Sequence, residues 1–551
     1  MMRYPLITKR FISCTTVTLF VLTFLTYPSS FSFRNSLSWV SSAATRTDTC
    51  QIWPGSHDSD SEQSSYEKCS GKVNLPMVGD SSVLGDPERC SVASSRLDPY
   101  QTSPGRNWSE VKWGHVQRRC AAREYKLSPL ENQIRRIWHL PVEAETALRL
   151  EGSKGRTAVV LRTWDNYEYT EKRLAWLRAL IAEASLQRAG AYQVFLLVNV
   201  KNPEIRLEED VAAYEQALRE FVPEEFRDMA ILFNERTLEA WYPLVQEHGA
   251  QDQMYQALQI FSRKFKQFDY IWQLEMDLRF TGHVHDTLES TATFARAQRR
   301  RNLWERNGRF YIPQLHDHSY ENFSATVDAE IGDTGIWGPA ATDDFTPYEQ
   351  NPPPRTKLTW GLNSEPDLIS LMPMIDPIGT GWVYEDAIHG FASGASTPRR
   401  AAIVSITRSS RRLLRLVDAA QREHGRSVVS EATLETFALL HGLKAVAVPQ
   451  PIYFGVNNNN NDNNKDGDGK GQRGEEMRAA RQLAGELNRG PPHSRAGGAT
   501  PSMLYAKTGW VQGPWWEASY WFTGGGAEKL WKKYLEGRRL PPMLLHPVKE
   551  K

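Results

Sequence analysis

Between residues 157 and 277 the chain alternates strand-like and helix-like segments at short spacing, and few architectures accept that order. Residues 157–163 (TAVVLRT) and 192–200 (YQVFLLVNV) are near-continuous apolar runs, the profile of strands covered on both faces. Residues 230–233 add a short strand, and residues 270–274 another, apolar and aromatic. Between them, residues 170–186 carry Leu174, Leu177, Leu180 and Ile181 at helical spacing. Residues 205–221 read as a helix that stops before Pro223, and residues 254–265 as another, whose Lys264 suits a C-terminus. This alternation predicts an α/β fold with a parallel, doubly wound central sheet. Right-handed crossovers then bring the carboxyl ends of the strands to one rim, where open α/β sheets bind ligands.

Glu275-Met276-Asp277 gives that rim its chemistry. In a strand, residues i and i+2 face the same way, so Glu275 and Asp277 are expected to aim at one object. Two carboxylates held close are costly without a cation between them, and a hard divalent ion, Mn²⁺ or Mg²⁺, suits oxygen ligands and would take further oxygens from a substrate's phosphates. The competing reading pairs both acids with Arg279 and other local cations. Arg162-Thr163 ends the first strand, where an Arg suits either phosphate oxygens or a neighbouring acid. Glu385-Asp386 follows a Gly-x-Gly-Trp turn and offers a carboxylate to take the proton of an attacking hydroxyl, unless one of the two caps the segment from Ala387. His441 is either a third metal ligand or a helix cap beside Gly442.

Other chemistries have weaker signals. His283-x-His285 and His316-Asp317-His318 have spacings used by zinc hydrolases, but Gly282 argues against a strand there, and lone histidines are ordinarily surface groups. Neither a Gly-x-Ser-x-Gly elbow, a Walker loop nor a dinucleotide fingerprint is present. Lys and Arg number 66 against 65 Asp and Glu, so no excess of basic charge points to a nucleic-acid partner.

The flanks suggest a secretory protein. Lys9-Arg10 precedes an uncharged stretch, residues 11–33, which reads as a signal-anchor or a cleaved signal peptide; the anchor is preferred because no Ala-x-Ala site follows at once. Residues 1–10 would form a cytoplasmic tail. Residues 34–107, rich in Ser, Asp, Gly and Pro, read as a stem, with the folded domain spanning 108–551. Outside the hydrophobic stretch, the cysteines are Cys50, Cys69, Cys90 and Cys120, an even number that fits two disulfides in any of three pairings. Asn107-Trp108-Ser109 and Asn322-Phe323-Ser324 are glycosylation sequons. Later segments read as helices over 410–423 and 430–440, the second capped by Ser430, and a strand over 445–448. An Asn-rich, low-complexity insertion begins at 457 and extends to about 500.

The segments Arg162-Thr163-Trp164, residues 272–283, Trp382-Val383-Tyr384-Glu385-Asp386, Pro398-Arg399-Arg400, His441-Gly442-Leu443-Lys444-Ala445 and Leu545-His546-Pro547-Val548-Lys549 together resemble a fungal family defined by a domain of unknown function and regarded as glycosyltransferase-like. The resemblance covers roughly residues 108–551. Glu275-Met276-Asp277 is similar to the Asp-x-Asp motif of nucleotide-sugar transferases, and closest to the Glu-Pro-Asp form of fungal α-mannosyltransferases. The resemblance implies a Rossmann-like, GT-A-type glycosyltransferase fold with a mixed, mostly parallel central sheet, and a single-pass type II protein of the Golgi or another secretory membrane. It further implies Glu275 and Asp277 on the metal and donor diphosphate, Arg162 and Thr163 near the nucleotide, Glu385 or Asp386 near a glycan or glycoprotein acceptor, and His441 completing the metal shell. Two rivals stand beside it: a metal-dependent hydrolase using the His pairs, and a non-catalytic, membrane-tethered binding protein.

Overall fold

A computed structural model describes residues 50–52, 66–69, 77–125, 127, 138–139, 156–340, 342, 344–454, 478, 481 and 517–550. Its centre is a seven-stranded sheet. In chain order the strands are β1 (Arg156–Trp164), β2 (Tyr192–Asn199), β3 (Ala230–Phe233), β4 (Phe268–Glu275), β5 (Leu368–Ser370), β6 (Thr407–Ser410) and β7 (Ala445–Ala447). Across the sheet they run β7-β5-β6-β4-β1-β2-β3. β4, β1, β2 and β3 are mutually parallel, β5 is parallel to β7, and β6 runs against both its neighbours. The sheet is therefore mixed and mostly parallel. Val159, Val160 and Leu161 of β1 and Val194, Leu196 and Val198 of β2 are all buried, as their unbroken apolar runs require.

The helices between these strands begin where side chains satisfy their first amides. Asp210 accepts from the amides of Ala212 and Ala213, so the helix Val211–Phe221 starts several residues later than its apolar spacing suggests. Ser410 caps Arg411–His424 through the Leu413 amide. Ser430, expected to cap the next helix, is instead the first residue of Ser430–Leu440, and its hydroxyl accepts from the Met254 amide (2.8 Å).

The folded part begins earlier than residue 108. Residues 77–107, read from sequence as stem, build 3-10 turns and a five-residue helix, Ala93–Leu97, against the domain. Arg96 from that helix makes a buried, bidentate pair with Glu183 (2.8 and 2.9 Å) and donates to the Phe280 carbonyl (2.7 Å). Elements this short carry no periodicity, so composition alone made them look like linker. Of the three disulfide pairings, the structure has Cys50–Cys120 and Cys69–Cys90.

At the other terminus, Leu544–Leu545 pairs antiparallel with Arg279–Phe280, just beyond β4. Thr281 fixes this edge by donating to the Pro541 carbonyl (2.5 Å) and accepting from the Met543 amide (3.0 Å). The stretches 1–49 and 455–477, with the anchor, the cytoplasmic tail and the start of the Asn-rich insertion, lie outside the described residues, as do residues 128–137, where Ser128-Pro129 suggests a helix start. Among the described residues, no helix is long and apolar enough to cross a membrane.

Candidate metal centre

β4 ends at Glu275, and the chain turns there, the Leu278 amide donating to the Glu275 carbonyl (3.1 Å). Asp277 therefore sits in a turn rather than on the strand. Its carboxylate nonetheless converges with that of Glu275, because the C-terminal tail crosses both. His546 Nε2 lies 3.2 Å from Glu275 Oε2 and 3.1 Å from Asp277 Oδ1, and the Val548 amide donates to the Asp277 carbonyl (2.8 Å). One ligand atom from each of Glu275, Asp277 and His546 falls within 4.8 Å of the others.

The tail is held firmly enough to position an imidazole. The His546 amide donates to the Ser519 carbonyl (3.1 Å), and the Trp521 amide donates back to the His546 carbonyl (2.9 Å). His546 Nδ1 sits 2.5 Å from the Trp521 carbonyl, which makes it the donor there and aims Nε2 at the acids. Arg173 donates to the Lys549 carbonyl (2.6 Å), and Glu550 accepts from the Trp531 indole (2.6 Å) while facing buried Arg279 (3.2 Å). Arg279, offered as the counter-ion of the acid pair, is thus committed to Glu550 and to the carbonyls of Met276 and Leu278, stacked over Trp176.

Burial opposes charge on all three groups, and their mutual attraction wins. Burial would raise Asp277, but His546, Lys549 and Arg279 hold it down to about 2; Glu275 is lowered in the same way by His546 and Arg162. Burial would lower His546, yet the two carboxylates carry it up to about 10. With no cation bound, His546 is thus an imidazolium clamped between the acids. Two carboxylate oxygens and one imidazole nitrogen, about a quarter exposed on the acid side, fit a Mn²⁺-like ion that would take the place of the Nε2 proton.

Arg162 is register partner to Glu275 across β1 and β4, and its guanidinium lies 3.3 Å from Glu275 Oε1. Lys549 approaches Asp277 from the other side at 3.9 Å. The acid pair is thus flanked by two cations. Thr163 faces the opposite side of β1 from Arg162 and is buried, so it does not share that surface. Trp164, two residues past Arg162 and 40% exposed, returns to it.

The remaining expected residues lie in other settings. His441 is absent from the acid group; it is buried against Phe345 and Phe437, accepts the Tyr348 amide at Nδ1 (3.2 Å), and burial lowers it to about 4. Glu385 closes its own turn by accepting the Gly381 amide (2.7 Å), and Asp386 faces buried Arg399 (3.5 Å). His283 caps the helix Val284–Arg296, His285 meets Asp286 (3.3 Å), and His316 stacks with Tyr311 and meets Phe323 edge-on. These histidines form no group of three ligands among the described residues. A recess of about 180 Å³, lined by Phe310, Ile312, Leu315, His316, Phe323 and Val327, does not include the acid group. His546 was missed because it lies 271 positions from Glu275; its only signal was the Leu545-His546-Pro547-Val548-Lys549 ending noted among the familial segments.

A carboxylate–carboxylate–imidazole group on the rim of a mixed α/β sheet, flanked by an arginine and a lysine, defines an α/β protein whose donor set fits a divalent cation beside an anion. The model of a family described as protein of unknown function (DUF3405) matches residues 86–550, and the chain belongs to that family. No curated protein and no solved structure matches it.

Proposed function

We propose that this protein is a metal-dependent glycosyltransferase, moving a sugar from a nucleotide-sugar donor to a glycan or glycoprotein acceptor. The observation that carries this reading is the convergence of Glu275, Asp277 and His546 at the carboxyl end of β4, with Arg162 and Lys549 on either side. A Mn²⁺ or Mg²⁺ ion held by the three ligands would offset the charge that builds on a diphosphate leaving group. Arg162, planar and multidentate, orients phosphate oxygens, and Lys549 adds a second cation. Trp164 offers an aromatic face on the same edge for a base or sugar ring. Two disulfides fit an oxidising compartment, and we place the protein in the Golgi or another secretory membrane, with residues 11–33 as anchor and the domain lumenal.

The test is a thermal-shift screen of nucleoside diphosphates with and without Mn²⁺. One nucleotide should stabilise the chain selectively and only with the metal, and Asp277→Ala should abolish that response and sugar transfer while the melt without ligand stays cooperative. A wild-type chain that responds to no nucleotide in the presence of Mn²⁺ would leave a binding module instead of an enzyme.

A further inference from the structure

Glycosyl transfer to a hydroxyl releases a proton, and Glu385 and Asp386 are engaged elsewhere, the first in its own turn and the second with Arg399. The fold brings a different carboxylate within electrostatic reach of the acid group. Glu431 lies in the first turn of Ser430–Leu440. That turn is fixed against the sheet: Ser430 accepts the Met254 amide, and Met254 Sδ lies 3.5 Å from Gln273 Nε2. Gln273 is on β4, two residues before Glu275 and on the same face. The Ala402 amide donates to the Glu431 carbonyl (2.8 Å) from the other side. The charged groups near enough to act electrostatically on the half-buried Glu431 side chain are Arg162, Glu275 and Asp252.

A second observation concerns what lies behind it. Glu435, one turn on and on the same helix face, is 1% exposed, and its Oε2 has no hydrogen-bond partner. The hydroxyl of Tyr520, also fully buried and unpartnered, lies within electrostatic reach of Glu275 and Tyr255, and Tyr255 within reach of Glu435. Unsatisfied buried polar groups thus occur both within reach of Glu275, at Tyr520, and one turn behind Glu431, at Glu435. Such groups are costly in a core that has only to pack, and they are concentrated where chemistry needs them.

We propose that Glu431 is the carboxylate that takes the proton from the attacking acceptor hydroxyl. This rests on the glycosyltransferase reading. The hydroxyl oxygen forms the new bond to the anomeric carbon with its lone pair, and its proton passes to the Glu431 carboxylate. The bond from the anomeric carbon to the phosphate oxygen breaks, and its electron pair leaves with the nucleoside diphosphate. Burial, reinforced by Glu275 and Asp252 and opposed by Arg162, raises Glu431 to about 7, which suits a base working near neutral pH.

The experiment compares full-length wild type, Glu431→Gln and Glu431→Asp. The probes are nucleoside diphosphate with Mn²⁺ for binding, and the corresponding nucleotide sugars with glycan acceptors for turnover. Glu431→Gln should lose roughly 100-fold or more in kcat while nucleotide affinity stays within about twofold of wild type, and Glu431→Asp should keep part of the activity. Turnover by Glu431→Gln within a few-fold of wild type, or an equal loss of nucleotide binding in both variants, overturns the proposal and leaves the glycosyltransferase reading standing. A wild type that neither binds nucleotide nor transfers sugar removes both.

Discussion

His546 does electrostatically what a cation would do between the two acids. Its imidazolium is the counter-charge that lets Glu275 and Asp277 stay ionised side by side, and its Nδ1 bond to Trp521 keeps it there. His546→Ala should therefore lower the metal-free stability by about 2–3 kcal/mol, because two partly buried carboxylates lose their cation, and should also abolish the Mn²⁺-dependent nucleotide response. Urea melts and the thermal-shift screen read the two effects separately; an unchanged melt would mean that the acids do not depend on His546. Glu435 makes the opposite kind of prediction. Burial pushes its carboxyl up to about 8 from a reference of 4.5. Between those values the folded chain keeps a proton that the unfolded chain has released, so this group's contribution to stability falls as pH rises through that window. Glu435→Gln removes the titration, and its melting temperature should gain on wild type at pH 8.5 and converge with it near pH 4.5. A constant offset across that range would refute the assignment.

Among the elements, the apolar content of each run does most to decide what sequence alone reveals. β1, β2 and β4 are eight or nine residues of largely buried chain, and each was legible. β5 has three residues and β6 has four, Thr407-Arg408-Ser409-Ser410, which carry no strand signal of their own. β6 is a strand because its backbone pairs with β4 and β5, with Arg408 stacked over Tyr270 of β4 and paired with Glu365 (2.7 Å). The acid pair was legible from the paired carboxylates, but the expected reason, strand alternation, gave way to a turn stabilised by the tail. His546 was not, since only the tertiary fold brings it to Glu275. Ala93–Leu97 shows the same dependence energetically. Five residues do not hold a helix alone; Arg96 holds this one through Glu183, which also accepts the Val284 amide (2.9 Å) at the start of the helix Val284–Arg296. Arg96→Ala strands a buried carboxylate between two helices and should cost about 3–5 kcal/mol. The Arg96→Met, Glu183→Leu pair, which leaves no charge behind, should cost clearly less than Arg96→Ala alone. Denaturant melts of the three chains decide it, and equal losses in the single and double variants would show that the charge is not what matters.

For the whole molecule, the Asn-rich insertion interrupts the sequence without interrupting the core. The strand Ile452–Tyr453 pairs with Met77–Val78, and the chain is picked up again at residue 517 beside the point it left. The Ser519 amide donates to the Tyr453 carbonyl (2.8 Å), and the Tyr453 amide donates to the Ser519 hydroxyl (2.9 Å). Ser519 in turn accepts from the His546 amide, so the two roots of the insertion lie one hydrogen-bonded segment from the acid group. Because the roots are already bonded to each other, shortening the intervening length should act on stability through loop-closure entropy. Removing residues 458–500 cuts the connection to about a third and should gain about 1 kcal/mol on that account. The excised chain should melt at or slightly above the wild-type temperature and keep its Mn²⁺-dependent nucleotide response, since Tyr453, Ser519 and His546 all remain. Loss of the nucleotide response with an intact melt would show instead that residues 458–500 act on the site, and loss of both would show that the closure across Tyr453 and Ser519 cannot stand without them.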